Sequence, residues 1–291
     1  MVARARRRGA IRRRGPARIS AQGEATELPL RHAVALGGLQ GVAELLPISS
    51  SGHLTLVPAL LGWPYAGIDP ELRKGFEVAV HAGSALALLG TLRRDIATVA
   101  REHRTGEALG AALVLAPSLL AGLLLERLVT ERASGPRGVA GAQVAAGLAM
   151  AAADRRPATR RYGTARLADH MALGLAQAAA LVPGVSRNGS TLTGARLRRF
   201  ERPAAARLSR QAALPVVAGA AVLKGARLAK RGLPRELAAP FATGLTAAAL
   251  STLASRRLLE HMEEARSYLP LAAYRVALGT IALARLPHEG G

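Results

Sequence analysis

The chain has 291 residues, half of them apolar and only 3% aromatic, and it carries a formal net charge of +21. It has no cysteine, which excludes disulfides and thiolate metal sites. Despite the charge we expect no nucleic-acid partner, because the arginines lie between apolar blocks and aromatic side chains for base stacking are sparse. Basic loops between apolar segments rich in small residues are typical of membrane helix bundles, so we expect contact with membrane lipids.

The composition divides the chain into three parts. Residues 1–27 are basic and contain no apolar core, which excludes a secretory signal peptide and predicts a disordered tail on anionic lipid. We expect residues 28–286 to form a single integral-membrane domain and residues 287–291 to form a short C-terminal tail. The predicted fold class is all-α, a polytopic membrane helix bundle.

Nine apolar segments predict the helices of this bundle. In chain order they cover 30–46, 52–61, 76–92, 108–125, 139–153, 167–182, 214–223, 237–253 and 269–286. The segment 52–61 is too short to cross a bilayer and predicts a re-entrant half-helix. Every loop is basic, so the positive-inside rule does not fix the orientation.

The first break in these segments concentrates polar residues within residues 39–56. Gln40 and Glu44 are four residues apart and share one helix face. Pro47 ends that helix, and the three serines at 49–51 are suitable N-caps for the next one. Free N–H groups at a helix start that point toward a carboxylate favour a phosphate, with a metal ion between phosphate and Glu44.

A second break, within residues 177–194, repeats this plan. Pro183 and Ser186 have the same spacing as Pro47 and Ser50 in the first break. Paired broken helices are typical of inverted repeats that meet near the membrane midplane. We therefore expect the two breaks to face each other and to form one site.

The side chains of the two breaks suit cleavage of a diphosphate. Arg187 can bind phosphate oxygens through two N–H groups, and Glu44 can hold Mg²⁺ together with phosphate oxygens. Glu44 could also take the proton of Ser50 as a nucleophile, and His53 could protonate the leaving phosphate. Two alternatives stay open: His53 as the nucleophile, and direct attack by water.

Residues 40–53 (QGVAELLPISSSGH) and 183–191 (PGVSRNGST) resemble the two signature motifs of the undecaprenyl-diphosphatase family, the integral-membrane, bacitracin-resistance type. Residues 76–84 and 268–275 resemble two further family segments. The resemblance covers about residues 29–286.

This resemblance implies a phosphatase that converts a C55 polyprenyl diphosphate to the monophosphate at the outer face of the bacterial inner membrane. That reaction recycles the lipid carrier of peptidoglycan synthesis and gives bacitracin resistance. The resemblance also implies Mg²⁺ or Ca²⁺ and two re-entrant regions. Gln40 stands where many members have Glu, and His81 where Gln is usual, so Glu77 becomes a candidate second carboxylate for the metal.

These considerations define the predicted site. The predicted catalytic residues are Glu44, Ser50, His53 and Arg187, and the predicted metal ligands are Glu44 and Glu77. The predicted substrate-binding residues are Gln40, Ser49, Ser51, Gly52, Ser186, Gly189 and Thr191. For Ser49, Ser51 and Thr191 a capping role is the alternative, and Gln177 is expected to bond across helices.

Two other function classes were considered. Ser-Gly-His and Ser-Arg are similar to motifs of type-2 phosphatidic-acid phosphatases, but that family needs a second His after Ser-Arg, and residues 188–200 contain none. A transporter or lipid flippase could use the same paired breaks, but it needs no nucleophile with a base and an acid. Homo-oligomerisation is left open.

Overall fold

The computed structural model describes residues 28–93, 105–231 and 235–287, and these residues are almost entirely helical. Their α-helices are α1 Leu30–Leu45, α2 Ser50–Leu60, α3 Pro70–Thr91, α4 Thr105–Ala133, α5 Pro136–Asp154, α6 Leu167–Ala178, α7 Arg187–Leu197, α8 Arg202–Arg231, α9 Arg235–Ala254, α10 Arg257–Glu264 and α11 Leu269–Arg285. The predicted all-α bundle is confirmed. The predicted tail 1–27 and residues 288–291 lie outside the described residues.

Helix α8 differs most from its prediction. It covers 30 residues, whereas hydropathy predicted only 214–223. The parts of α8 on either side of 214–223 are rich in Ala, Leu, Arg and Gln. These residues favour helix, but the arginines keep the mean hydropathy of these parts low. The short helix α10 was not predicted for the same reason, since it is a polar, amphipathic element. Apolar runs therefore locate helices in this chain but underestimate their length.

Helices α1 and α2 form a hairpin around the first break. The His32 ring, near the start of α1, stacks on Trp63, just after α2, with ring centroids 4.2 Å apart. Helices α6 and α7 form a second hairpin, because Arg198 after α7 donates to Asp169 in the first turn of α6 at 2.7 Å. Each hairpin thus turns back at its break.

The two hairpins contact opposite ends of α5: the α1–α2 hairpin packs near its start, and the α6–α7 hairpin bonds to its end. Val139 and Ala140, near the start of α5, pack in one cluster with Leu56 of α2. Asp154, at the end of α5, accepts a hydrogen bond from Arg196 of α7 to its backbone oxygen, at 3.0 Å. A helix of 19 residues is about 28 Å long. The breaks therefore meet near the middle of the bundle, as an inverted repeat requires, while the repeat and its re-entry into lipid stay predictions.

Asp154 ties three helices together at its end of the bundle. Its carboxylate accepts from Arg202 Nε at 2.7 Å and from the Ser267 hydroxyl and the Tyr268 N–H, both at 2.9 Å. Asp154 lies one residue beyond the predicted apolar segment 139–153. Burial by itself would raise the pKa of Asp154, but these hydrogen bonds, led by that of Arg202, outweigh burial and lower the pKa below its ordinary value. The charged carboxylate therefore stabilises the folded state.

Small residues let the helices of the bundle approach closely. A Cβ atom added to Gly37 of α1 would lie 2.3 Å from the carbonyl oxygen of Gly244 in α9. Only glycine allows these two backbones to lie so near each other. The abundance of glycine and alanine in the sequence thus has a packing reason.

The outer surface of the bundle carries apolar side chains. Leu119, Leu123 and Leu124 of α4 are 62%, 84% and 76% exposed. The segment Leu237–Ala254 is long and apolar enough to cross a bilayer, and the bent pair α10–α11 would count as a second such span. Among the described residues fewer helices pass this test than the nine predicted segments, partly because α1, α2, α6 and α7 are shorter than a full span.

Candidate functional site

Both breaks are built on the same turn. Ser49 has a φ of 73° and its side chain accepts from Gly52 N–H at 3.2 Å, which makes it the N-cap of α2. Ser186 has a φ of 53° and accepts from Gly189 N–H at 3.1 Å, as the N-cap of α7. A positive φ costs a serine roughly 1–3 kcal/mol and is retained where surrounding contacts impose it. The two turns are therefore specified features of the fold.

The match between the breaks differs by one residue from the prediction. Counting from the prolines equated Ser50 with Ser186, but the caps equate Ser49 with Ser186. Ser50 then corresponds to Arg187, since each is the first residue of its helix. The alternative that Thr191 caps α7 is wrong, because Ser186 fills that position.

The Glu44 carboxylate joins the two breaks. Its Oε2 atom accepts from the Ser50 hydroxyl at 2.7 Å and from Gln40 Nε2 at 3.1 Å. Its Oε1 atom accepts from Nη2 of Arg187 in a close ion pair. The Glu44 side chain is 11% exposed and that of Arg187 24%. Two of the other three predicted catalytic residues, Ser50 and Arg187, therefore bond to the carboxylate of Glu44.

Gln40 links this carboxylate to α3. The Gln40 side chain is fully buried, and its Nε2 also donates to the Ser84 hydroxyl at 3.2 Å. Its Oε1 atom is buried without a hydrogen-bond partner among the described residues. A buried amide oxygen of this kind suits a cation or water at the site.

His53 has both ring nitrogens engaged. Nδ1 lies 2.7 Å from the carbonyl oxygen of Ser49, and Nε2 lies 2.7 Å from the hydroxyl of Tyr274. A carbonyl only accepts, so Nδ1 carries the proton, and in the neutral ring Nε2 then accepts from the tyrosine. His53 is 1% exposed. In this state Nε2 has no proton to donate and its lone pair is occupied.

Three side chains from other helices bind backbone carbonyls of the first break. Asn188 of α7 donates to Leu45 O at 3.1 Å, and Gln143 of α5 donates to Ile48 O at 2.7 Å. Arg275 of α11 donates to Pro47 O at 3.0 Å. Leu45 is the last residue of α1, and Pro47 and Ile48 follow it, so none of these carbonyls has a partner within the helix, and the three contacts supply one. No role was predicted for the three side chains from sequence, although polar residues in apolar helices are a signal for one.

The other predicted binding residues lie around the turns. Thr191 is buried, its hydroxyl donates to Arg187 O at 3.0 Å, and it also contacts the Ser209 hydroxyl. The Ser51 hydroxyl lies 3.3 Å from that of Ser49. A Cβ atom on Gly52 would lie 3.4 Å from the Cα atom of Gly184 in the other break. These residues bring the two turns together, and their contact with a substrate stays a prediction. Gln177 donates to Ser118 at 3.3 Å, which confirms its expected bond across helices.

A cleft extends from the Glu44–Arg187 pair. Its walls are mostly apolar and come from α3, α8 and α10, with Leu88, Leu92, Ala213, Leu259 and Met262 among the lining residues. The Arg210–Glu263 ion pair also lines the cleft. A polar end beside apolar walls matches a phosphate group attached to a hydrocarbon chain.

The second predicted metal ligand does not lie beside Glu44. Helices α1 and α3 run in parallel, because Leu36 clusters with Phe76, and Gln40 bonds to Ser84 further along. Glu77 precedes Ser84 by seven residues, or about 10 Å along the helix. Its carboxylate accepts from Tyr65 at 3.5 Å.

Ligand distances of about 2.0–2.6 Å do not allow one ion to bind both carboxylates. Within the described ranges no group of three His, Asp or Glu side chains could hold a metal ion. We therefore do not retain Glu77 as a ligand.

Comparisons with known proteins identify the family of the chain. A family model described as bacitracin resistance protein BacA matches residues 33–281. The chain is 39% identical over 272 residues to an undecaprenyl-diphosphatase of Geobacter sulfurreducens, covering 89% of this chain and 99% of that one. It is 38% identical over 272 residues to that of Trichlorobacter lovleyi, covering 89% and 98%. Identity to that of Thermomicrobium roseum is 35% over 272 residues, covering 86% and 96%. Matches that span nearly the whole chain establish its membership: it belongs to the bacitracin resistance protein BacA family.

Proposed function

We propose that the protein is an undecaprenyl-diphosphate phosphatase of the bacterial inner membrane. It hydrolyses a C55 polyprenyl diphosphate to the monophosphate and phosphate, with the cleft open to the outer face of the membrane. The observation that carries the proposal is the Glu44 carboxylate, which holds the Ser50 hydroxyl of one break and the Arg187 guanidinium of the other. Relatives that span nearly the whole chain and bear the same activity in their names support it.

Ser50 is the proposed nucleophile. Its hydroxyl already donates to Glu44 at 2.7 Å, within the reach required of a general base. Attack by Oγ on the terminal phosphorus forms an O–P bond and breaks the bond to the bridging oxygen, while Glu44 takes the serine proton. The lipid monophosphate leaves with the bridging oxygen. Water then attacks the phosphoserine: its oxygen bonds to phosphorus and the bond from phosphorus to Oγ breaks. Both water protons leave with the phosphate, and Glu44 returns the proton that it took to Oγ of Ser50.

His53 is a weaker candidate for the nucleophile in the described geometry. A nucleophilic nitrogen needs a free lone pair, and Nε2 uses its lone pair to accept from Tyr274. Direct attack by water stays an alternative to Ser50, with Glu44 again as the base. We keep His53 in the catalytic group because its Nδ1 bonds to the carbonyl of Ser49, the cap that orients Ser50.

Arg187 binds the diphosphate in this proposal. A guanidinium has five N–H donors, and the described ion pair uses one nitrogen on Glu44. The remaining donors suit phosphate oxygens, and the N–H groups at the start of α7 favour the same charge. The apolar walls of the cleft would cover the first isoprene units of the lipid.

We also propose that Mg²⁺ or Ca²⁺ takes part, held by Glu44 and by oxygens of the substrate. The unpartnered Oε1 of Gln40 offers a second protein oxygen next to Glu44. Such an ion would neutralise charge on the diphosphate. Glu44 is the one carboxylate at the junction of the two breaks in the described part of the chain, so we expect weak binding of the metal without substrate.

Phosphate release from C55 diphosphate by the purified protein in detergent tests this function. We expect release by the wild type, and loss of release after treatment with EDTA that added Mg²⁺ restores. A transporter or flippase would release no phosphate even as wild type, and that result would contradict the proposal. Activity that EDTA leaves unchanged would contradict only the metal.

A further inference from the structure

Helix α11 contributes a buried cation to the junction of the two breaks. Arg275 is 0% exposed. Its Nη1 donates to Pro47 O in the first break at 3.0 Å, and its Nη2 donates to Gly184 O in the second break at 2.9 Å. One guanidinium thus holds a carbonyl of each turn at the same time.

Burying the Arg275 guanidinium without a carboxylate partner costs free energy, which indicates that its contacts have a specific role. No carboxylate in the described part of the chain pairs with Arg275, and its buried Nε has no hydrogen-bond partner there. An unpaired buried charge is retained only where its contacts matter. The chain also leaves room for it, because a Cβ atom on Gly189 would lie 2.5 Å from Nη1.

The neighbouring residue on α11 contacts the catalytic group directly. The hydroxyl of Tyr274 donates to Nε2 of His53 at 2.7 Å, and the two rings lie nearly parallel with centroids 5.6 Å apart. Tyr274 is 44% exposed, so it also connects the buried His53 with the surface of the bundle. Since Nδ1–H donates to Ser49 O, the tyrosine hydroxyl donates to Nε2, and the two contacts hold the ring in one orientation.

We propose that α11 positions the active site through these two adjacent residues: Arg275 locks the turns of both breaks together, and Tyr274 holds the His53 ring in one orientation through its contact with Nε2. This inference rests on the proposed function and adds two positioning residues to it. Ser49 connects the two effects, because its carbonyl oxygen accepts the hydrogen bond from His53 Nδ1–H and its side chain caps α2.

Tyr274→Phe tests the tyrosine, with Tyr162→Phe as the matched control. Tyr162 also donates through its hydroxyl, to Gln211 at 2.7 Å, but it lies in the 155–166 loop at the end of the bundle. We expect Tyr274→Phe to lower kcat for phosphate release about tenfold with KM nearly unchanged. The control should retain wild-type kcat. Equal kcat in Tyr274→Phe and the wild type would overturn the role of Tyr274.

A spectroscopic signature separates positioning from a general loss of structure. The ¹⁵N resonances of the His53 ring are identified by their absence in His53→Gln. We expect the Nε2 resonance of a nitrogen that accepts a hydrogen bond in the wild type, and a shift of that resonance toward the position of a non-bonded nitrogen in Tyr274→Phe. An Nε2 resonance that is the same in both would contradict the inference even if kcat fell. This readout needs no substrate, so it remains valid if the wild type releases no phosphate and the proposed function fails.

Arg275→Lys tests the arginine. Lysine keeps the charge but presents one compact donor group, which cannot hold both carbonyls as the planar guanidinium does. We expect kcat at least about tenfold below wild type, and partial recovery on addition of guanidinium ion. Wild-type kcat in Arg275→Lys would show that charge alone suffices and would overturn the locking role.

Discussion

Replacing Ser50 with alanine distinguishes a serine nucleophile from direct attack by water. The change removes the hydroxyl that donates to Glu44 at 2.7 Å. Loss of that hydrogen bond costs about 1 kcal/mol, which leaves a typical protein folded. Loss of a nucleophile lowers kcat by about 10⁴-fold or more, whereas loss of a group that only orients water costs about 10²-fold. We expect the larger effect.

The assay is phosphate release from C55 diphosphate in detergent, with acid quenching to trap a phosphoserine in the wild type. Ser255→Ala, in the turn before α10, is the control and should retain full activity. A decrease in kcat of only about 10²-fold in Ser50→Ala, with no phosphoserine trapped in the wild type, would refute Ser50 as the nucleophile. An unchanged kcat would refute any role of the Ser50–Glu44 contact in catalysis.

Three further predictions address the metal, the turns and the pH dependence. Gln40→Glu places a second carboxylate beside Glu44, so we expect tighter Mg²⁺ binding in calorimetry; unchanged affinity would exclude position 40 from the metal site. Gly189→Ala puts a Cβ atom 2.5 Å from Arg275, so we expect a lower unfolding temperature, while Gly141→Ala, with open space around it, should cause no loss. The pKa of Asp154 is lowered by folding, so its stabilising effect is present above the unfolded pKa of about 4 and is lost as pH falls below it. We therefore expect the free energy of unfolding in detergent to fall less between neutral and acid pH in Asp154→Asn than in the wild type. Equal decreases would contradict this assignment.

Local chemistry predicted the two breaks. A proline followed by small hydroxyl residues and glycine ends one helix and begins another, so both turns could be located from sequence. The repetition of that pattern then predicted that Glu44, Ser50 and Arg187 would converge. The register was wrong by one residue because spacing from the proline does not reveal which serine adopts the positive φ.

Contacts made by distant side chains could not be predicted in this way. Tyr274 meets His53 across 221 residues of sequence, and Arg275 meets Pro47 across 228. Both lie on a helix whose pattern indicates only an apolar span, and no local rule states which carbonyl a buried arginine will bind. The prediction of Glu77 as a metal ligand failed for a related reason. Two carboxylates on parallel helices can bind one ion only if they lie at the same height along the helices.

The central claim is that two breaks from distant parts of the chain form one site through Glu44 and Arg187. A double-mutant cycle of Glu44→Gln and Arg187→Gln, read as the free energy of unfolding in detergent, measures that contact directly. We expect the double variant to lose less stability than the two single variants together, with a coupling of about 1–3 kcal/mol. Stability losses that simply add would contradict the claim.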